Sequence, residues 1–122
     1  MAKEKIEETK VNPIIITDEE TGQTYTLEFS RESVKFAEAH GFSFDDVSRY
    51  PMSKIPELFF YAFRKNHKNI ARDKTDKILD KMNGIPNGLI ERLAELYAEP
   101  FEALTILDEG EERKNSPITI EF

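Results

Sequence analysis

The chain has 122 residues, a size at which one compact domain with a modest core is expected. It contains no cysteine, which excludes disulfides, thiolate metal sites and cysteine nucleophiles. A net charge of −7 repels phosphate backbones, so nucleic acid is not expected as a partner unless a basic face is segregated. No stretch approaches the ~20 apolar residues of a membrane span, so no membrane partner is expected either.

The first predicted element is a β-hairpin. The run from Ile14 to Ile16 is β-branched, the stretch from Gln23 to Phe29 alternates apolar and polar residues, and the turn cluster DEETG separates them. Because two strands alone are only marginally stable in water, the apolar face of this hairpin should lie on the helices that follow.

Helical patterns fill the middle of the chain. Ser30 is a good N-cap for the first helix, and Gly41 stands where a left-handed residue ends it. In the stretch IPELFFYAFRKNH, which begins at Ile55, apolar residues cover well over half of the helix circumference, which indicates burial on more than one side. Pro100 lies inside a continued Leu-rich pattern and predicts a kink or break near Tyr97.

Together these patterns predict an α+β, mainly helical fold, in which an N-terminal hairpin packs on a small bundle of about four helices. The predicted organisation is a flexible N-terminus over residues 1–12, a single globular domain over 13–107 with the hairpin at 13–29 and helices at 31–107, and an acidic linker with a strand-like tail over 108–122. In the tail, PITIEF, every second residue is apolar. Two interpretations stay open: a third strand of the hairpin, or a strand paired with another chain.

The chemistry-bearing residues indicate no catalytic site. The chain has two histidines, His40 and His67, each at a predicted helix end, where an imidazole can interact with the last helical carbonyls. No metal-ligand spacing, phosphate-binding glycine loop or nucleophile motif occurs, and the paired acids fall in predicted turns. We therefore expect no enzyme, no catalytic residue, no metal and no cofactor.

Charge is distributed unevenly along the chain. From Arg64 to Lys81 seven basic residues accompany only three acidic ones, whereas between Arg92 and Arg113 every charged residue is acidic. A basic middle and an acidic C-terminal half favour contact between copies, because complementary charge sets their orientation. The candidates for self-association are Arg64, Lys65, Lys68, Arg72, Glu95, Glu99 and Glu102.

Three segments in order resemble the small tail assembly chaperones of long-tailed, siphovirus-type phages and prophages of Gram-positive bacteria. They are YTLEFSRESVKFAEAHGF from Tyr25, IPELFFYAFRKNHK from Ile55, and LIERLAELYAE from Leu89. The second contains the pattern LF-x-x-AF-x-x-x-H, which ends at His67. The similarity runs from about Tyr25 to Leu107, and residues 1–12 exceed the compact start of such proteins.

The resemblance implies a non-enzymatic protein in the cytoplasm of the bacterial host. Such chaperones are thought to coat the long, helical, aggregation-prone tape measure protein until tail tube subunits replace them, and they tend to self-associate. The implied partners are therefore the tape measure protein and further copies of the chain, with the tail tube protein as an additional candidate.

A chaperone for a long helix needs an exposed apolar groove into which an amphipathic helix can lay its apolar stripe. The candidate partner-binding residues are Phe60, Phe63, Tyr97, Phe101 and Leu104. All five could instead belong to the core. Two alternative functions also stay open, namely a structural tail or connector component of the virion, and a small DNA-binding regulator that uses the basic segment.

Overall fold

The computed structural model describes residues 11–104, apart from the side chain of Ala103, and residues 117–122. Its elements in chain order are β1 (Ile14–Asp18), β2 (Gln23–Leu27), α1 (Arg31–Ala39), α2 (Asp46–Arg49), α3 (Pro51–Phe63), α4 (Arg72–Lys81), α5 (Leu89–Ala98) and a 3₁₀-helix (Glu99–Leu104). The predicted fold class is confirmed: an antiparallel hairpin precedes a body of short helices in an α+β, mainly helical protein.

The hairpin pairs β1 and β2 in a single register. Ile14 lies opposite Leu27 and Ile16 opposite Tyr25, so these four side chains share the face that looks towards the helices. Gly22 closes the turn with φ of +77°, a conformation that favours glycine, and its N–H donates to the Asp18 carbonyl at 2.7 Å. The alternation of apolar and polar residues in the sequence thus correctly predicts which face of the hairpin is buried.

The outer edge of β2 is tied to the end of α3. The Thr26 N–H donates to Nε2 of His67 at 3.0 Å, and the Asn66 side-chain amide donates to the Thr26 carbonyl at 3.1 Å. The Glu28 N–H also donates to the Ala62 carbonyl at 3.1 Å. His67 is therefore not only a helix-end residue, as its sequence position suggests, but an acceptor that holds the hairpin on the helical body.

The two ends of α1 are as predicted. The Ser30 hydroxyl accepts the Ser33 N–H at 3.2 Å, and the Ser33 hydroxyl in turn accepts the Ser30 N–H at 2.8 Å, which makes a reciprocal capping box. At the other end Gly41 has φ of +85°, and its N–H donates to the Glu38 carbonyl at 3.0 Å. Local sequence determines both ends, because each depends on neighbouring residues only.

The long apolar helix α3 is the centre of the molecule. It contacts every other α-helix and β2, which explains why apolar residues cover most of its circumference. The helix begins at Pro51, because proline is well suited to the first helical position. The core beneath it consists of Tyr25, Leu27, Phe29, Leu58, Phe59, Phe63, Leu93, Leu96 and Tyr97 with their neighbours.

The break expected at Pro100 is present. The α-helix α5 ends at Ala98, and the chain continues as the 3₁₀-helix, which packs against α1. Proline lacks the N–H that an α-helix would need at this position, so the tighter 3₁₀ turn replaces the regular one. This change of helix type determines which side chains face outward beyond Tyr97.

The chain ends lie partly outside the described residues. This holds for residues 1–10 of the predicted flexible N-terminus and for residues 105–116, which include most of the predicted linker. Residues 117–122 are described and form no strand, so within the described part of the chain the sheet has two strands. Among these residues no helix is long and apolar enough to cross a membrane.

Candidate protein-binding site

A surface groove runs between α1 and the 3₁₀-helix. It consists of two adjoining cavities of about 280 Å³ and about 410 Å³, which share Glu38 and Phe101. The first is lined by Arg31, Val34, Lys35, Glu38, Pro100, Phe101 and Leu104, and the second by Glu38, Phe42, Ser43, Phe44, Asp45, Tyr97 and Phe101. We call this surface the Phe101 groove.

Two apolar side chains stand side by side at the groove. Phe101 is 41% exposed and Leu104 is 59% exposed. Their spacing of three residues matches the three residues per turn of a 3₁₀-helix, which brings positions i and i+3 onto the same face. The 3₁₀ geometry aligns this pair more closely than a regular α-helix would, in which side chains three positions apart point about 60° away from each other.

Beneath the groove lies a cluster of aromatic rings centred on Tyr97. Its ring centroid lies 5.0 Å from that of Phe29, 5.2 Å from Phe44, 5.8 Å from Phe42 and 5.7 Å from Phe101. Such spacings are typical of packed aromatic pairs. The buried Tyr97 ring thus packs against the exposed Phe101 ring and forms the base of the groove.

The position of Tyr97 predicts a loss of stability in alkali. Burial raises the pKa of Tyr97 to about 12, and the charge of Glu38 adds to this effect. A tyrosine in the unfolded chain has a pKa of about 10, so its contribution is complete below about pH 10 and is lost as the pH rises towards about 12. We expect the free energy of unfolding of the wild type to fall relative to that of Tyr97→Phe across this window, as measured by denaturant unfolding at each pH. A difference between the two proteins that does not change with pH would contradict the prediction.

Charge varies along the Phe101 groove. Arg31 and Lys35 line the cavity beside Leu104, Glu38 lies where the two cavities join, and Asp45 lines the adjoining cavity. Arg31 and Glu38 are seven residues apart on α1, which corresponds to about 10 Å along the helix axis. One end of the groove is therefore basic and the other acidic.

The five predicted partner-binding residues have different locations. Phe101 and Leu104 are exposed at the groove, and Tyr97 lies buried beneath them. Phe63 is fully buried in the core, and Phe60 is half-buried on α3, packed against the core. Phe63 therefore offers no surface to a partner in this conformation, because α3 is covered on several sides.

Sequence reasoning missed the opposite wall of the groove. Val34 and Lys35 come from α1, while Phe42 and Phe44 come from the loop after it, all more than fifty positions before Phe101. Local patterns carry no information about a contact of this kind. The break at Pro100 was the one available signal that the chain near Phe101 would be unusual.

The basic self-association candidates are largely engaged within the molecule. The guanidinium of Arg64 lies 3.6 Å from the ring centroid of Phe36, a cation–π arrangement. Lys65 pairs with Glu28 at 3.3 Å, and Arg72 pairs with Asp76 at 3.0 Å. Lys68 is exposed. These internal contacts reduce the positive charge that is available to attract a second copy or a phosphate backbone.

The acidic candidates also have internal contacts. Glu95 pairs with Arg92 at 3.3 Å, Glu99 accepts the Val11 N–H at 2.6 Å, and Glu102 is exposed. In addition, Glu99 lines the same shallow cleft as the basic candidate Lys65. At this cleft one residue of each charge set lies on the same surface, so the two sets are not completely segregated.

Within residues 11–104 and 117–122, no group of three or more potential metal ligands is brought together. In the same part of the chain, every buried side-chain nitrogen or oxygen has a hydrogen-bond partner. The most distinctive surface is therefore the apolar Phe101 groove.

The fold and this groove define a small hairpin-and-helix protein with an exposed apolar surface between two helices. A family model described as a domain of unknown function (DUF5055) matches residues 1–122. The chain belongs to this family. No curated protein and no solved structure matches the chain.

Proposed function

We propose that this protein is a non-enzymatic phage tail assembly chaperone that binds amphipathic helices of the tape measure protein in the Phe101 groove. The observation that carries the proposal is the exposed pair Phe101 and Leu104, which lies in a groove beside α1. The ordered resemblance of the three sequence segments supplies the class of partner. The setting is the cytoplasm of the bacterial host, where self-associated copies keep the tape measure protein soluble until tail tube assembly.

The dimensions of the groove suit a helix. An amphipathic helix presents its anchors at positions i, i+3, i+4 and i+7, which span about 10 Å. This length matches the about 10 Å from Arg31 to Glu38 along one wall. Two turns of a partner helix would therefore place apolar anchors on both sides of the Phe101 ring.

The charges along the groove favour one orientation of the partner helix. A helix carries partial positive charge at its N-terminus and partial negative charge at its C-terminus. The C-terminal end of the bound segment would lie near Arg31 and Lys35, and its N-terminal end near Glu38 and Asp45. Charge complementarity of this kind contributes more to orientation and rate of encounter than to affinity.

Removal of the exposed pair tests the proposal. We expect Phe101→Ala combined with Leu104→Ala to weaken binding to the tape measure protein by about tenfold or more, because apolar contact area is lost. Binding is measured by recovery of soluble complex after co-expression and by titration of the purified proteins. The double variant should still unfold cooperatively, since both side chains lie at the surface and neither belongs to the buried core.

Met52→Ala is the matched control. Met52 is 90% exposed, lies on α3 and does not line the Phe101 groove, so its truncation removes a similar apolar side chain elsewhere. Equal binding by the double variant and the wild type, or equal losses in the double variant and the control, would contradict the groove assignment. Detection of the protein in purified phage particles would favour the structural tail component instead.

A further inference from the structure

The outer edge of β1 has the geometry of a site for strand addition. In an antiparallel pair, residues alternately direct their backbone groups towards and away from the partner strand. The Thr26 backbone is directed away from β1, because it bonds to His67 and Asn66. Its cross-strand partner Ile15 is therefore directed away from β2, and the same holds for Thr17.

This edge differs from the edge of β2. The described residues place the end of α3 against β2 but supply no third strand beside β1. Ile15 is 58% exposed, and β1 contains no charged residue before Asp18. Natural edge strands usually carry charge, proline or a bulge that prevents pairing with another chain. The first four positions of β1 lack such protection.

A cleft lies beside the same strand. It has a volume of about 600 Å³ and separates β1 from the C-terminal half of α4. Its apolar lining comes from Ile16, Ile78 and Met82. At its end Lys81 bridges to Asp18 at 2.6 Å and to Glu20 at 3.1 Å. A strand added to β1 would therefore find apolar space for every second side chain.

Residues 117–122 have the pattern that this site requires. In PITIEF the apolar residues Ile118, Ile120 and Phe122 alternate with polar ones, as in a strand with one buried face. Ile120 is 55% exposed, and Phe122 is fully exposed. Residues 117–122 do not form a strand in this structure, although their sequence alternates as a strand does.

We propose that residues 117–122 of a second copy add to β1 as a third strand. Ile118, Ile120 and Phe122 then face the cleft beside α4, while Thr119 and Glu121 lie on the solvent face with Ile15 and Thr17. Residues 105–116 span up to about 40 Å when extended, which is enough to reach a neighbouring molecule. A second copy is favoured because, among the described residues, no strand pairs with the outer edge of β1, and Ile120 and Phe122 are exposed.

This proposal goes beyond the proposed function and does not depend on it, because it concerns a different surface. It also differs from charge-oriented self-association in its response to salt. Backbone hydrogen bonds and apolar burial are screened little by salt. The assembly in which one copy adds its C-terminal segment to β1 of another should therefore persist at high ionic strength.

Cross-linking between copies tests the placement of the strand. The chain has no native cysteine, so single-cysteine variants report one position each. We mix differently tagged Thr17→Cys and Thr119→Cys chains under mild oxidation and expect a disulfide between copies. Thr24→Cys is the matched control, because Thr24 pairs with Thr17 on the same face but lies one strand further from the added segment. Equal cross-linking at both positions, or none at Thr17, would overturn the proposal.

A chain that carries both Thr17→Cys and Thr119→Cys distinguishes the source of the strand. A disulfide that forms within single chains at high dilution, with none between mixed copies, would overturn the assignment to a second copy. A disulfide that forms only between copies supports it.

The apolar face of the segment provides a second test. We expect Ile120→Glu to weaken self-association by about tenfold or more, because a buried apolar contact is replaced by a charge. Thr119→Glu, on the opposite face, should leave it unchanged. Light scattering at low and high salt measures the self-association of the two variants and of the wild type. No difference between the variants, or a wild-type chain that stays monomeric, would overturn the proposal. Neither substitution touches the Phe101 groove, so helix binding is judged separately.

Discussion

Phe63→Ala is expected to lower the free energy of unfolding by about 3–5 kcal/mol, the usual cost of truncating a fully buried phenylalanine. The Phe63 ring packs against Tyr25 and Phe59, with centroids 5.4 Å and 5.1 Å away, and against His67 at 6.0 Å. The substitution therefore leaves a cavity where β2 meets α3. Urea unfolding monitored by circular dichroism measures the change.

Phe60→Ala is the matched control for this prediction. Phe60 is three positions away on the same helix but only half-buried, so its truncation should cost about 1–2 kcal/mol. Similar losses for the two variants would contradict the assignment of Phe63 to the core and Phe60 to its margin. A small loss for Phe63→Ala would again make this residue a candidate for the partner-binding surface.

His67→Ala is expected to lower the free energy of unfolding by about 2–4 kcal/mol. The substitution leaves the half-buried Thr26 N–H without its acceptor, which costs about 1–3 kcal/mol. It also removes the edge-to-face packing with Tyr25, whose ring centroid lies 5.3 Å away, and such pairs contribute about 0.5–1.5 kcal/mol. The effect is large because one side chain joins the hairpin to the helical body.

Two further variants separate the causes. His67→Phe retains an aromatic ring but not the acceptor, so it should recover only the packing contribution. His40→Ala replaces the other histidine, which is exposed and whose Nδ1 lies 2.9 Å from the Phe36 carbonyl in its own helix. We expect a loss below about 1 kcal/mol for that variant. Equal losses at His40 and His67 in urea unfolding would argue against a special role for His67.

The attachment of β2 through His67 has a consequence for assembly. Because Ala62, Asn66 and His67 bond to the outer edge of β2 at Thr26 and Glu28, the strand addition proposed above is assigned to β1. The same attachment buries the inner face of the hairpin and holds the cleft beside α4 next to the open edge. One contact between segments distant in the sequence would therefore direct where the proposed strand addition takes place.

The sequence by itself determined the features that depend on neighbouring residues. It predicted the hairpin, the N-cap at Ser30, the left-handed Gly41 and the break at Pro100, because caps, turns and helix breaks are set within a few positions. It also indicated that α3 is buried on more than one side. The α+β, mainly helical class follows from this order of elements.

Only the tertiary structure decided which apolar residues are covered. Phe60 and Phe63 look equivalent in a helix that is apolar almost all round, and their burial depends on what packs against each face. In the same way the exposure of Phe101 depends on the distance of the 3₁₀-helix from α1. The charged candidates Lys65 and Glu99 line one cleft because the fold packs their two distant segments side by side. Contacts between distant segments determine burial and charge pairing, and no local pattern encodes them.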